Sequence, residues 1–257
     1  MRLFALAWLA AMSALVPSAR GELKSNVEYG KAGDAPLLLD VSTPDGPGPF
    51  PMILQMHTSG GWMEADRGYC GNLAAAGFIC IAPAFLRAHG ITNEEMRRKS
   101  FTSEARPIYD DFVEIIGELD ALPQAKKGAV GAVGFSNGGF FVALLAATKR
   151  IRAGVSYYGA LDGARTQPDL DVFRRRWQAD SSPILILAGT SDATIGKGPP
   201  ALLDQIIKAA GARDELQWYP DAGHAFDRTG RTGSGNAAAA ADAWPRTVAF
   251  LRANGVQ

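Results

Sequence analysis

The pentapeptide Gly-Phe-Ser-Asn-Gly at residues 134–138 constrains the fold of this chain more than any other stretch. Its G-x-S-x-G spacing is typical of a nucleophile elbow, in which a serine, here Ser136, lies in a sharp turn between a strand and a helix. The small, apolar run at 128–133 fits a buried parallel strand, and the apolar run at 140–147 fits a buried helix. With 29 glycines in the chain, the pattern would arise by chance in about one such sequence in six, so it needs partners elsewhere.

Apolar runs of strand length alternate with helical patterns along the rest of the sequence. Strands are predicted at 37–42, 51–56, 78–82, 153–158, 183–188 and 215–219, and helices at 66–76, 107–122, 199–210 and near the C-terminus. Pro245 is expected either to start the last helical segment or to kink it. The polar stretch 22–36 is predicted to be an exposed lead-in. The alternation predicts an α/β fold, with a mostly parallel sheet and helices on both faces. Because only residues 160–182 separate two successive strands, we expect little or no lid.

Residues 1–21 are predicted to be a signal peptide. Arg2 supplies the positive start, an apolar run at 3–16 follows, and small residues then offer cleavage sites. An uncleaved anchor is the other interpretation, but the run is shorter than the roughly 20 residues that a membrane span needs. We expect an exported protein, periplasmic or secreted, with residues 22–257 as one domain and no membrane span after cleavage.

The balance of charges indicates which partners to expect, and the two cysteines raise the question of a disulfide. The 26 basic and 26 acidic side chains balance and form no basic cluster, so nothing in the sequence indicates a nucleic-acid partner. Cys70 and Cys80 could form a disulfide in an exported protein or could both be small core residues, and the sequence leaves that open.

The base that Ser136 needs is sought among the three histidines of the chain. His57 and His224 each follow a predicted strand, and His89 lies in a charged loop. In the α/β-hydrolase arrangement the triad runs serine, acid, histidine along the chain, and only His224 follows Ser136. We therefore predict His224 as the base, with no metal or cofactor, since the histidines show no metal-ligand spacing.

The acid is expected between the serine and the histidine, at the end of a strand. Asp192 follows the predicted strand at 183–188 in a short loop and is the favoured candidate. Asp162 follows the preceding strand, and Asp221 lies only three residues before His224, where it could simply shape the turn.

An oxyanion hole requires two backbone N–H groups that point at the developing negative charge. One is expected from Asn137, directly after the nucleophile. The other is expected from Thr58 or Ser59, in the polar loop that follows the strand at 51–56.

Three stretches resemble the dienelactone hydrolase family of α/β-hydrolases, over most of the chain from residue 51 to 251. They are the elbow at 134–139, the Tyr-Tyr-Gly sequence at 157–159, and Ala-Gly-His-Ala-Phe-Asp-Arg-Thr-Gly at 222–230. The resemblance implies that Arg228 binds a substrate carboxylate. Arg87 is a near match to a second such arginine, one position out of register, and both arginines could instead form a solvated rim.

This sequence departs from the best-known members of that family at the nucleophile. Those members use a cysteine restrained by a glutamate in the loop after the early strand, whereas this chain has Ser136 and no glutamate at 56–59. We therefore expect a serine-type hydrolase of a small carboxylic ester or lactone. A peptidase, an acyltransferase or a non-catalytic binding protein of the same fold are the alternatives, and the oligomeric state is left open.

Overall fold

A computed structural model describes residues 22–32, 35–92, 96–161, 173–228 and 235–257. The predicted signal peptide at 1–21 and the candidate acid Asp162 lie outside the described residues. So does the segment 162–172, which makes up much of the connection where little or no lid is expected.

One sheet of eight strands forms the centre of the described part of the chain. The strands are β1 Glu22–Ala32, β2 Ala35–Thr43, β3 Phe50–Met56, β4 Ile79–Pro83, β5 Ala125–Phe135, β6 Gly154–Tyr157, β7 Ile184–Gly189 and β8 Asp214–Tyr219. Their order in the sheet is β1-β2-β4-β3-β5-β6-β7-β8. The β1–β2 and β2–β4 pairs are antiparallel, and the five remaining pairs are parallel. The predicted, mostly parallel sheet is confirmed.

Helices cover both faces of this sheet. They are α1 Glu64–Ala75, α2 Phe85–Ala88, a 3₁₀ helix Met96–Phe101, α3 Ala105–Leu119, α4 Asn137–Ala147, α5 173–176, α6 Gly198–Ala209 and α7 Ala237–Ala253. In β3, Met52 and Leu54 join the apolar cluster that contains residues of α3, α4 and α6, whereas Ile53 joins the cluster that contains residues of α1 and α7. Successive side chains of a strand point to opposite faces, so the uniformly apolar β3 is what a sheet covered on both sides requires.

One local expectation needs correction, and one pair of alternatives is narrowed to a single one. Residues 22–32 are not a lead-in but form strand β1, which pairs with β2 at the edge of the sheet. Backbone pairing holds this strand, and an edge strand tolerates the polar side chains that suggested a loop. Of the two possibilities for Pro245, the start of a separate segment is excluded, because α7 continues on both sides of this residue, and a kink at Pro245 stays a prediction.

Cys70 and Cys80 form a disulfide, which decides the question that the sequence leaves open. Cys70 lies on α1 and Cys80 on β4, with 5.4 Å between their Cα atoms, and both side chains are fully buried. This separation is in the usual range for a disulfide. The bond ties α1 to the sheet.

Candidate active site

The elbow is built where β5 ends and α4 begins. Ser136 lies between them with a φ of 52°, the left-handed region that residues other than glycine seldom adopt. A Cβ atom at Gly134 would collide with the carbonyl of Gly138, and one at Gly138 would collide with the carbonyl of Met56 at the end of β3. Glycine at both positions is therefore a packing requirement, and it brings the elbow against the loop that follows β3.

The three predicted triad residues come together at the carboxyl ends of neighbouring strands. Ser136 Oγ lies 3.0 Å from His224 Nε2, and His224 Nδ1 lies 2.8 Å from Asp192 Oδ2. Ser136 follows β5, Asp192 follows β7 and His224 follows β8, so three loops separated by long stretches of sequence supply the group. The Asp192 side chain is almost completely buried, while that of His224 is 18% exposed.

Asp192 is arranged to remain ionised. Burial alone would raise the pKa of its carboxyl group, but the hydrogen bonds from His224 and from the backbone N–H groups of Ile195 and Thr194 outweigh burial and lower it. A carboxylate at this position accepts the Nδ1–H of His224 and leaves Nε2 as the acceptor for the hydroxyl proton of Ser136.

Backbone contacts fix the acid loop against the histidine loop. The Ser191 N–H donates to the Ala222 carbonyl at 3.0 Å, and the Asp221 N–H donates to Thr190 Oγ1 at 3.0 Å. Asp221 therefore shapes this junction, and its carboxylate makes no hydrogen bond to His224 in the described part of the chain. The ring of Tyr158 lies edge-on to His224, with 4.8 Å between the ring centroids, and limits its position from the β6 side.

The other two histidines lie in different surroundings. His89 is paired with Asp111 at 2.9 Å. His57 is buried and stacked on Phe85, with 4.1 Å between ring centroids, and its Nδ1–H donates to the Thr58 carbonyl at 2.7 Å. Burial lowers the pKa of His57 to about 4, so this ring is neutral at ordinary pH.

The loop after β3 has the features expected of half an oxyanion hole. Thr58 is buried and Ser59 half-buried, and the Thr58 carbonyl is occupied by the His57 ring and by the Gly61 N–H. Within the described residues, no protein acceptor takes the N–H of Thr58, Ser59 or Asn137. These donors lie on the two segments that the close packing of the elbow brings together.

Sequence reasoning missed one partner of this region. The buried side-chain amide of Asn137 donates to Ser100 Oγ at 2.9 Å, and Ser100 belongs to the 3₁₀ helix. Its segment lies in the charged loop that follows β4 and carries no motif, so the sequence offered no signal for this contact.

Arg228 lies in a buried ion pair and not at an open rim. Its Nη2 donates to Asp66 Oδ1 at 2.5 Å, and its guanidinium carbon lies 5.5 Å from the centroid of the Phe135 ring. The Arg228 and Asp66 side chains are 7% and 0% exposed. The role of Arg228 in binding a substrate carboxylate stays a prediction, and in the structure a carboxylate of the protein, that of Asp66, already accepts one of its N–H groups.

Arg87 lies on α2 between the buried residues Leu86 and Ala88, and its own side chain is exposed. Its guanidinium has no hydrogen-bond or ion-pair partner among the described residues. The structure thus brings Arg228, and not Arg87, into contact with the residues around the triad.

Among the described residues, no group of histidine, cysteine, aspartate and glutamate side chains could hold a metal ion. No described helix is both long enough and apolar enough to cross a membrane.

The strand order, the strained serine turn and the Ser-His-Asp geometry define an α/β-hydrolase. Within that class, the chain belongs to the dienelactone hydrolase family, whose model matches residues 40–255. The resemblance inferred from three short motifs is therefore confirmed over most of the chain.

Relatives and solved structures agree with this assignment. A protein of Escherichia coli strain K12 named "Putative carboxymethylenebutenolidase" is 30% identical over 220 residues, covering 81% of this chain and 79% of its own. A protein of the same name from Methylorubrum extorquens is 32% identical over 225 residues, covering 81% and 74%. The crystal structure of a "Putative Dienelactone Hydrolase" from Klebsiella pneumoniae has a TM-score of 0.72 at 24% identity, covering 90% of this chain and 98% of that one. At this identity, the structural likeness supports the fold.

Proposed function

We propose that this protein is a serine hydrolase that cleaves small carboxylic esters or lactones through an acyl-enzyme. The observation that carries the proposal is the continuous hydrogen-bonded line from Ser136 through His224 to Asp192. Membership of the dienelactone hydrolase family and the names of the relatives support the same substrate class.

The geometry supports a conventional two-step mechanism. Ser136 Oγ attacks the carbonyl carbon while His224 Nε2 takes the hydroxyl proton, and Asp192 stabilises the imidazolium. The oxyanion of the tetrahedral intermediate accepts the N–H of Asn137 and that of Thr58 or Ser59. The intermediate then collapses, the C–O bond to the alcohol breaks, and the alcohol leaves with the proton of His224.

Water completes the cycle. His224 removes a proton from a water molecule, whose oxygen attacks the acyl carbon and forms a second tetrahedral intermediate. Collapse of that intermediate frees the carboxylic acid and returns the proton to Ser136 Oγ. With a lactone, the alcohol and the acid belong to one molecule, so the product is a single hydroxy acid.

Labelling by a fluorophosphonate probe tests the proposal. We expect the folded protein to take one label at Ser136, and Ser136→Ala to lose both the label and ester hydrolysis. Ser42→Ala is the matched control, because Ser42 is a buried serine of β2 whose hydroxyl has no partner in the described chain. Release of free acid in water, without an added amine or alcohol acceptor, identifies hydrolysis in preference to acyl transfer. A folded wild-type protein that takes no label would contradict the proposal.

We further propose that the protein is exported. The apolar sequence after Arg2 supports this, and so does the Cys70–Cys80 disulfide, since disulfides persist in oxidising compartments. Mass spectrometry of the protein recovered from its producing cell tests it, because export predicts a mature N-terminus near residue 22 in the periplasmic or secreted fraction. An intact N-terminus in the cytoplasmic fraction would contradict it.

A further inference from the structure

A cavity of about 560 Å³ lies at the end of the sheet where the parallel strands begin. Its lining includes residues early in β5 and directly before β6, β7 and β8, namely Gly128, Val130, Arg152, Pro183 and Arg213. Strands β5 to β8 are parallel, so their amino ends meet at one end of the sheet, and the triad follows carboxyl ends at the other. This space, the amino-end cavity, is therefore separate from the candidate active site.

Basic side chains predominate among the charged residues of the amino-end cavity. Four basic and two acidic residues line it and leave an excess of two positive charges; they are Lys149, Arg150, Arg152, Arg213, Asp120 and Asp180. The chain as a whole has 26 basic and 26 acidic side chains, so this excess is a local feature. Like charges along the walls of a concave site raise the local concentration of counter-ions. The cavity therefore attracts anions.

The two carboxylates of the cavity have other partners. Asp180 accepts a hydrogen bond from Lys149 Nζ at 2.9 Å, and Asp120 accepts the backbone N–H of Gly128 at 2.9 Å. Among the described residues, neither carboxylate forms an ion pair with an arginine. The excess positive charge therefore resides on the three arginines.

The arginines retain N–H groups that no described residue accepts. Arg150 and Arg213 are exposed, and neither guanidinium has a hydrogen-bond or ion-pair partner in the described chain. Arg152 is fixed by one contact, because its Nε donates to the Gly128 carbonyl at 2.7 Å, and its two Nη groups are left unpaired by the described residues. A single exposed arginine is commonly just solvated. Here three of them line one cavity.

The position of two of the cations directly after α4 does not explain the cluster. Cations often lie at helix C-termini, where the last carbonyls have no partner within the helix. In α4, however, the carbonyls of residues 144–147 all accept backbone N–H groups or hydroxyl groups of the protein. The side chain of Arg150 is not needed as a cap, and Arg213 belongs to a different part of the chain, before β8.

We propose that the amino-end cavity binds a phosphate-bearing molecule through the guanidinium groups of Arg150, Arg152 and Arg213. One guanidinium fork takes both oxygens of a carboxylate, whereas a phosphate group has a third oxygen for a further arginine. The volume lies within the range of roughly 300–1,000 Å³ that is usual for small-molecule sites. An organic phosphate or the headgroup of a phospholipid would therefore fit. This site goes beyond the proposed hydrolase function and does not depend on it.

Isothermal titration calorimetry with glycerol 3-phosphate tests the proposal. We expect the wild type to bind at one saturable site in about 0.15 M salt, where charges more than about 8 Å apart are largely screened. Arg150→Gln and Arg213→Gln should each weaken binding at least about tenfold, the size of one hydrogen bond to a charged group. Because both side chains are exposed, the variants should fold, and far-UV circular dichroism checks this.

Arg106→Gln is the matched control. It also removes one exposed arginine, but Arg106 lies near the start of α3, pairs with Asp110 at 2.7 Å and is not part of the cavity lining. Its dissociation constant for glycerol 3-phosphate should stay within about twofold of the wild-type value, because screening removes the effect of a distant charge. An equal loss in Arg106→Gln and Arg150→Gln would show an effect of net charge and would overturn the assigned site.

Vesicles distinguish a lipid headgroup from a soluble phosphate. Sedimentation with phosphatidylglycerol vesicles, but not with phosphatidylcholine vesicles, identifies a lipid headgroup if the double variant Arg150→Gln with Arg213→Gln no longer sediments. Binding of glycerol 3-phosphate without sedimentation identifies a soluble phosphate. The proposal is overturned if neither probe binds, if the double variant binds as the wild type does, or if the dicarboxylate succinate binds as tightly as glycerol 3-phosphate.

The active-site serine separates this site from the proposed hydrolase. Ser136→Ala should bind glycerol 3-phosphate as tightly as the wild type, because the cavity lies at the opposite end of the sheet. Loss of binding in Ser136→Ala would place the phosphate at the active site and overturn the assigned position. Fluorophosphonate labelling of the wild type is measured in parallel. A protein that binds phosphate but takes no label would contradict the hydrolase function and leave the phosphate site supported.

Discussion

The side-chain amide of Asn137 donates a hydrogen bond of 2.9 Å to the hydroxyl of Ser100, and both side chains are completely buried. This contact connects the residue after the nucleophile to the 3₁₀ helix Met96–Phe101. The backbone N–H of Asn137 is a proposed oxyanion donor, so Ser100 restrains the residue that supplies this donor. Asn137 Oδ1 has no partner in the described chain, which makes the bond to Ser100 the main polar anchor of this side chain.

Ser100→Ala should therefore weaken both stability and turnover. Removing the hydroxyl leaves a buried amide donor unpaired, which costs about 1–3 kcal/mol. We expect a lower midpoint of urea unfolding and a fall in kcat that exceeds any change in KM, because the oxyanion donor acts mainly in the transition state. Ser42→Ala removes a buried hydroxyl that has no partner and should change neither quantity appreciably. If Ser100→Ala and Ser42→Ala have the same midpoint of urea unfolding and the same kcat, the role of Ser100 in anchoring Asn137 is contradicted.

Asp192→Asn should lower kcat by about 10³–10⁴-fold with little effect on folding. The amide no longer fixes the tautomer that presents Nε2 of His224 to Ser136, nor does it stabilise the imidazolium. Asp221→Asn is the control from the adjoining loop and should retain activity within about twofold, the range of a surface substitution. Steady-state kinetics on a neutral p-nitrophenyl ester check both, and a comparable loss in Asp221→Asn would reopen the identity of the acid.

The stability of the fold should depend on the protonation of Asp214. Burial and the neighbouring Asp204 raise the pKa of Asp214 from 3.8 to about 7. The folded state thus holds a proton that the unfolded chain releases, so its contribution to stability is complete below pH 3.8 and is lost as the pH rises through 7. The amide of Asp214→Asn cannot ionise, so the variant does not lose this contribution as the pH rises. Its free energy of unfolding relative to that of the wild type should therefore increase between about pH 5 and about pH 8.

Urea unfolding of wild type and variant at the two pH values measures this difference directly. Asp180→Asn is the control, because Lys149 lowers the pKa of this exposed carboxyl and it stays ionised throughout the range. Its effect on unfolding should be the same at both pH values. A pH-independent effect of Asp214→Asn would show that Asp214 is ionised in the folded protein.

Removing the disulfide should destabilise the protein without abolishing the fold. The bond joins cysteines 10 residues apart, and closing a loop of this size in the unfolded chain corresponds to roughly 3 kcal/mol. The double variant Cys70→Ala and Cys80→Ala should unfold at lower urea concentration than the oxidised wild type. A reductant should lower the Tm of the wild type, measured by calorimetry, and should leave the Tm of the double variant unchanged. An unchanged Tm of the wild type after confirmed reduction would count against the prediction.

The sequence predicted the structure best at positions where the local geometry allows only one residue type. The glycines at 134 and 138 flank a serine turn, and that spacing predicted the elbow that the structure contains. Chain order then separated His224 from His57 and His89, since only one histidine follows Ser136. The edge strand β1 was missed because most of its side chains are polar and show no regular burial pattern; pairing with β2 and the buried ring of Tyr29 hold it.

The pairing of charges could not be read from the sequence. Asp66 had no motif around it, and nothing in the sequence indicates that it would meet Arg228, which lies 162 positions further along the chain. The contact between Ser100 and Asn137 could not be predicted either, because no local pattern in the sequence indicates it.

The sequence by itself determined the α/β class, the serine, histidine and acid of the predicted triad and the family, because these follow from local spacing and from the order of residues along the chain. Only the tertiary structure decided that Cys70 bonds to Cys80, that Ser100 anchors Asn137 and that Asp66 neutralises Arg228. The physical reason is that a buried polar contact depends on which strands become neighbours in the sheet. Order along the chain does not specify which side chains then face one another.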